Sequence, residues 1–262
     1  MTPVMSPPSP DARRPAPTAD WVAARVQERR LWTPGLVSLI VASPIGPFLP
    51  GQFLKLGVTV DGRRQSRPYS IASAPGAPLE FIIREVPEGL VSPVLAGLQP
   101  GESVDVHTRP VGVFTLARVP RARTLWLFAT GTGLAPYLSL LRAGALWDRF
   151  ERVILVHGVR AIEEATHAAE LDRCAGSHPL AVIRAVSRGP VSGGILAGRI
   201  TTALSDGALE ARADLELTPA DSAAMICGNP AMVSELSTLL EQRGLRRHSA
   251  RAPGHFVIER YW

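Results

Sequence analysis

Cysteine is scarce in this chain of 262 residues, with only Cys174 and Cys227 present. Two cysteines exclude a disulfide framework and point to a reducing compartment. They also exclude a four-cysteine iron–sulfur cluster built by this chain alone. Lysine is almost absent: Lys55 is the only one, so the formal net charge of +5 is carried by arginine. No Lys/Arg-rich run and no recognisable nucleic-acid module accompanies that charge, so it fits anionic cofactors and an acidic protein partner better than nucleic acid. No apolar run approaches the roughly 20 residues that a membrane helix needs. Residues 1 to 20, MTPVMSPPSPDARRPAPTAD, are rich in proline and lack the apolar core of a signal peptide, so a disordered tail is expected. Cytoplasm is the expected location.

What is present is a globular composition, 46% hydrophobic, arranged in two rhythms. Residues 21–118 read as short strands separated by turn signals: WVAARVQERRLW, GLVSLIVASP, PGQFLKLGVTV, RPYSIASAP, LEFIIREV and GESVDVH. About six strands at this spacing predict an antiparallel barrel or sandwich, with DGRRQSR as a polar turn and VSPVLAGL (residues 91–98) as its one helix. Near residue 120 the pattern changes. TLWLFAT (124–130), RVILVHGV (152–159), LAVIRAVS (180–187) and SAAMICG (222–228) are apolar strands alternating with helical stretches. That alternation predicts an α/β domain with a parallel sheet over residues 119–262, closed by the strand-like FVIERYW.

TLWLFATGTGLAPY is a strand, a glycine turn and a helix starting near Pro136. Gly131 and Gly133 allow close backbone approach, and the free N–H groups at such a helix start favour an anion. This is the geometry that holds a dinucleotide pyrophosphate; an ordinary strand–helix turn would look the same taken alone. A carboxylate past the second strand favours NAD, and an arginine there favours NADP. Arg160 follows that strand, with Glu163 and Glu164 close by, so this strand leaves the choice open. Arg188 in AVSRG and Arg199 after PVSGGILAG tip it towards a 2′-phosphate, which planar guanidinium forks suit. Cys227 and Gly228 end a buried strand at the position where such sheets bind ligands. His157 and His255 lack metal-ligand spacing and read as structural.

In this order, RPYS with IAS, then PEGLVS, GTGLAP and CGNP, the chain resembles the ferredoxin–NADP reductase superfamily. VHGVR, VSR, AGRI, MICGNPAMV and an ending of the form Glu-x-Tyr-Trp resemble its bacterial ferredoxin/flavodoxin–NADP reductases. The resemblance spans residues from about 21 to 262 and leaves out only the N-terminal tail. It departs from the bacterial pattern at Gly189, where a carboxylate often stands.

The resemblance implies an FAD-dependent enzyme that moves electrons between NADPH and ferredoxin or flavodoxin. Arg67 would neutralise the flavin pyrophosphate, beside Pro68. Tyr69 would stack on the isoalloxazine ring, worth about 0.5–1.5 kcal/mol beyond burial for an aromatic pair. Ser70 would hydrogen-bond near the flavin atom that accepts hydride. Gly89, Leu90, Val91 and Ser92 would meet the FAD phosphates. Thr132 and Cys227 would flank the nicotinamide. Tyr261 would cover the flavin face until nicotinamide docks, Trp262 would cover the adenine, and Glu259 would be the active-site carboxylate. Gly131, Gly133, Gly228, Arg160, Arg188 and Arg199 would hold NADP(H). No metal and no membrane contact are expected, and monomer is the family's habit. Arg63 and Arg64 are candidates for attracting an acidic carrier. Two other readings stay open: the NADPH-dependent reductase component of an oxygenase, and a flavin-binding redox sensor without turnover.

Overall fold

Six segments of the first half alternate outward polar and inward apolar residues, as in Ala23-Ala24-Arg25-Val26, where Ala24 and Val26 are buried and their neighbours exposed. In the computed structural model, which describes residues 20–249 and 251–261, they form β1 (Trp21–Thr33), β2 (Leu36–Ala42), β3 (Phe53–Val60), β4 (Arg63–Ser70), β5 (Leu79–Arg84) and β6 (Ser103–His107). All pair antiparallel in the order β4-β3-β6-β1-β2-β5. Pro68 cannot donate to a ladder, and it sits on β4, an edge strand, where that costs nothing. The sheet curls until its edges approach: the Ala72 N–H, just past β4, donates to the Glu80 carbonyl of β5 at 2.8 Å. Leu39, Leu54, Leu56, Phe81, Ile83 and Val106 fill the interior, with Leu95 from the short helix α1 (Ser92–Gly97).

One expectation for this half is corrected. DGRRQSR is not a turn: only Asp61 and Gly62, both at positive φ, turn the chain, and β4 begins at Arg63. The stretch is polar because an edge strand faces water on one side. The expected tail falls outside the described residues except for Asp20, whose carbonyl accepts the Thr108 N–H at 2.9 Å.

The second half contains β7 (Thr124–Thr130), α2 (Ala135–Ala143), β8 (Arg152–Val159), α3 (Ala168–Ser177), β9 (Leu180–Val186), β10 (Leu196–Ala197), α4 (Ile200–Ser205), α5 (Ala208–Ala213), β11 (Ser222–Gly228), α6 (Pro230–Gln242) and β12 (Phe256–Arg260). The sheet order is β10-β9-β8-β7-β11-β12, and every pairing is parallel. Its strands read as continuous apolar runs because both faces are covered. Leu125, Leu127, Val153, Leu155 and Met225 face α2 and the barrel residues Leu36, Ile82 and Phe114. Trp126, Phe128, Ile154, Val156 and Ile226 face the opposite way, in one cluster with apolar residues of α4, α5 and α6. The two-residue β10 and the short α4 and α5 escaped the sequence reading, since elements of two to six residues carry too little periodicity to register.

From β7 the chain moves outward through β8, β9 and β10, then returns to the other side of β7 as β11 and β12. The direction of winding therefore reverses between β7 and β11. Ligands of open parallel sheets bind in the crevice outside the carboxyl ends of the strands at such a reversal.

Candidate active site at the junction of the two sheets

The reversal point is closed by an unusually tight crossing. A 3-10 turn, Gly131–Leu134, leads from β7 into α2 and lies directly on the end of β11. A Cβ at Gly133 would fall 2.5 Å from the Cys227 carbonyl oxygen, and one at Gly228 (φ +140°) would fall 2.2 Å from Thr130 Oγ1. No other residue type fits at either position. Thr130 Oγ1 accepts the Asn229 N–H at 2.9 Å, and Asn229 Oδ1 caps α6 by accepting the Ala231 N–H at 2.9 Å. His157, fully buried on the adjacent strand β8, meets the Gly131 carbonyl through Nε2 at 3.1 Å. Burial pushes this imidazole down to about 4, so at neutral pH it is uncharged and Nε2 donates to that carbonyl.

Parity along β11 and β12 does the next piece of positioning. Cys227 pairs with Glu259, and the Tyr261 N–H donates to the Gly228 carbonyl at 3.1 Å, so these side chains share the face turned towards the barrel. There they meet the end of β4. The Tyr261 hydroxyl donates to Ser70 Oγ at 2.8 Å, and Ser70 Oγ donates to Glu259 Oε1 at 3.3 Å. The Thr132 carbonyl lies 3.3 Å from the same tyrosine hydroxyl, and Cys227 Sγ lies 4.0 Å from Glu259 Oε1. Residues from four distant segments thus converge, with sequence separations of 189 and 191 residues across the two central bonds.

Burial sets the charge state of this cluster. It pushes Glu259 up to about 7, against a smaller opposing effect of the Ser70 hydrogen bond. It holds the Cys227 thiol well above its ordinary range, with the Glu259 carboxylate adding to the effect, so Cys227 is a neutral thiol and not a nucleophile. The Tyr261 phenol stays protonated for the same reason. The arrangement is a donor chain, tyrosine to serine to a carboxyl group that changes charge near neutral pH.

Other predicted residues lie around this centre. Arg67 is exposed on β4, and among the described residues its guanidinium donates only to the neighbouring Ser66 carbonyl, at 2.8 Å. Tyr69 is partly buried against the barrel core, and burial raises its hydroxyl to about 12 in spite of Arg67. Gly89 and Leu90 form the approach to α1; Val91 is buried in the barrel core. The Ser92 hydroxyl already accepts the Val86 N–H at 3.0 Å, which leaves its hydrogen and one lone pair for a ligand. Arg160, Arg188 and Arg199 are exposed at the carboxyl ends of the neighbouring strands β8, β9 and β10, and the Arg188 N–H donates to the Arg160 carbonyl at 2.8 Å. Glu164, one of the two carboxylates beside Arg160, is paired with Arg84 at 2.8 Å and accepts the Arg160 N–H at 3.3 Å, while Glu163 is exposed. Trp262 lies outside the described residues.

One candidate is reassigned. Arg64 does not face a partner: it is paired with Asp105 at 2.9 Å and lies over the Trp21 ring at 4.9 Å. Asn-Pro before an apolar helix is a capping signal that could have found Asn229; His157 is structural as expected, holding the Gly131 carbonyl from the neighbouring strand.

Comparison with known proteins agrees with this geometry. Residues 42–115 match the model of an oxidoreductase FAD-binding domain, and residues 127–238 match that of an oxidoreductase NAD-binding domain. The chain is 41% identical over 248 residues to the flavodoxin/ferredoxin–NADP reductase of Escherichia coli (strain K12), covering 93% of this chain and 100% of that protein. The chain belongs to the flavodoxin/ferredoxin–NADP reductase family. A further member, from Buchnera aphidicola subsp. Schizaphis graminum, is 35% identical over 92% of this chain and 99% of its own length. Among solved structures, a ferredoxin NADP+ reductase from Neisseria gonorrhoeae with bound FAD and NADP superposes with a TM-score of 0.88 at 29% identity, covering 94% of this chain and 100% of that one. A flavohemoglobin from Malassezia yamatoensis shares the family's fold at 18% identity and a TM-score of 0.76.

Proposed function

We propose that this chain is an FAD-dependent reductase that moves electrons between NADPH and the one-electron carriers ferredoxin or flavodoxin. The observation that carries the reading is the junction itself: a Tyr–Ser–Glu donor chain assembled where the end of β4 meets the carboxyl ends of β7, β11 and β12. Membership of the reductase family supports it.

The residues present fit both cofactors. On the parallel-sheet side, Gly133 and Gly228 let the glycine turn lie directly on the end of β11, and Gly131, at φ +52°, faces open space that a side chain would otherwise occupy. On the barrel side Arg67 has guanidinium donors left over for an anion, and Tyr69 offers a ring beside them. On this reading Arg67, Pro68, Tyr69 and Ser70 hold the flavin, with Gly89, Leu90, Val91 and Ser92 near its phosphates and Trp262 over its adenine. Gly131, Gly133 and Gly228 receive the nicotinamide nucleotide, while Thr132 and Cys227 flank its ring. FAD, when bound, supplies the hydride and single-electron chemistry; the protein supplies position and electrostatics.

The chain's own residues have three tasks. Ser70 presents a hydroxyl whose orientation is fixed from both sides, by Tyr261 and Glu259. Glu259, poised near 7, can hold or release a proton at working pH through the Ser70 hydroxyl. Arg160, Arg188 and Arg199, exposed and adjacent, select the 2′-phosphate, since the competing Glu164 is held by Arg84. We assign residues 21–118 to the FAD-binding part and 119–262 to the NADP(H)-binding part. No helix among the described residues is long and apolar enough to cross a membrane, and we place the enzyme in the cytoplasm as a monomer.

An anaerobic absorbance experiment tests the reading. The expected result is a yellow protein whose flavin band bleaches quickly with NADPH and slowly with NADH. A protein that stays colourless after FAD is added rejects the enzyme. A band that bleaches equally with both nucleotides rejects the roles given to the three arginines.

A further inference from the structure

Behind the site lies a buried polar cluster that the proposed reaction does not use. Arg142, near the end of α2, makes four bonds. Its Nη1 donates to the Ala72 carbonyl at 2.9 Å and to Glu80 Oε2 at 2.6 Å. Its Nε and Nη2 grip Glu170 of α3 at 2.7 and 2.8 Å. Glu80 Oε1 meets His167 Nε2 at 2.7 Å, and the His167 ring lies against Trp32 at 4.6 Å. One turn earlier on α2, the fully buried Ser139 donates to the Ser73 carbonyl at 2.7 Å.

The bonds to Ala72 and Ser73 matter most. These residues lie two and three positions after Ser70, and both of their carbonyls are held by α2. Two more of their polar groups are held by β5: Ala72 N–H to the Glu80 carbonyl at 2.8 Å, and Ser73 Oγ by the Glu80 N–H at 3.2 Å. The opposite end of α2 begins at the Gly131–Leu134 turn, which forms the other wall of the site. A nine-residue helix is about 13 Å long and stiff. One rod therefore touches the turn behind Ser70 at its far end and carries the glycine turn at its near end.

We infer that α2 is the spacer that fixes the distance between the flavin and nicotinamide positions, with Arg142 the residue that locks it. Arg142 and Ser139 are positioning residues; neither reaches the reacting atoms. The inference rests on the function proposed above. Two arguments favour spacing over simple adhesion. A buried ionic cluster is weak evidence for stability, because apolar residues of the same size would hold the halves together as well or better. Hydride transfer, in contrast, is steeply sensitive to geometry, and a 1 Å misplacement can cost about 10²-fold. A planar guanidinium bound on two sides resists sliding as an apolar contact cannot.

The test compares the holoenzyme with Arg142→Lys, which keeps the charge but loses the fork, and with Ser139→Ala, which removes one hydroxyl. Stopped-flow mixing with NADPH reads flavin bleaching, and mixing with NADP+ reads the long-wavelength charge-transfer band of stacked flavin and nicotinamide. Amide exchange across residues 71–74, with and without added FAD, reads the clamp independently of turnover. The expected result for Arg142→Lys is bleaching slowed about 10- to 100-fold, a weakened charge-transfer band and faster exchange at residues 71–74. FAD stays bound and NADP+ affinity stays within about twofold, since no group on either ligand has been removed. Ser139→Ala shifts the same readouts by a smaller factor. Unchanged bleaching and an unchanged band in both variants, with only a lower melting temperature, would overturn the spacer. If the unsubstituted protein itself fails to bleach with NADPH, the proposed function has failed, and the spacer falls with it.

Discussion

Two sets of arginines in this molecule make opposite use of the same side chain. Arg160, Arg188 and Arg199 stand exposed at the ends of three neighbouring strands, and none of their guanidiniums has a hydrogen-bond or ion-pair partner among the described residues. Arg142 is largely buried and bonded on every side. In a chain whose positive charge is nearly all arginine, residue type identifies neither set. What separates them is whether the fork's donors are satisfied. Donors left open at a sheet's ligand-binding end suit an anion from solution, while donors closed at a domain junction suit architecture.

The contrast can be broken by substitution, and the largest effect belongs to the buried side. Arg142→Met leaves Glu170 without its cation and Glu80 with His167 alone, and denaturant unfolding is expected to show a loss of about 3 kcal/mol. Burial alone would push Glu80 up, but the hydrogen bond and charge of His167, with those of Arg142, hold it down to about 2, so it is ionised at neutral pH and feels the loss of Arg142 in part. On the exposed side, Arg188→Gln is expected to raise KM for NADPH about tenfold, or about 1.4 kcal/mol, with KM for NADH and the melting temperature unchanged. A stability loss there would mean that the open fork has a structural partner after all.

A third expected effect, read as a slope against pH, concerns Glu259. Its folded value of about 7 lies above its ordinary value of 4.5, so the folded state favours the protonated form. The stability from that preference is complete below about pH 4.5 and is lost as pH rises through 7. Glu259→Gln is therefore expected to flatten the fall in melting temperature between pH 5 and 8. A fall of the same size in the variant would place the titration on another group.

Much of the architecture was legible in the sequence because it is written in local patterns. The change from alternating strands to apolar strands with helices near residue 120 marks the two halves, and the strands behind TLWLFAT, RVILVHGV and SAAMICG lie as expected. Gly133 of GTG and Gly228 of CGNP were legible as close-approach positions, and the geometry shows why: Gly133 faces the Cys227 backbone and Gly228 the Thr130 hydroxyl, while Gly131 faces open space. Position along the chain could not reveal Glu80, Arg142 and His167, which sit on β5, α2 and the start of α3 with 62 to 87 residues between partners. Nor could it show that Arg64 was already taken by Asp105, 41 residues away. Charges read one at a time look free until the fold supplies their counterions.

The long reach of the Ser70 contacts also fixes an order of events in the cell. Ser70 sits on a strand synthesised early, yet both of its side-chain partners lie 189 and 191 residues downstream. At roughly 5–20 residues per second of synthesis, the barrel waits on the order of ten seconds or more before Glu259 and Tyr261 have been made. During that interval the end of β4 stands without the Tyr261 and Glu259 contacts to Ser70, which form only once β12 has joined β11.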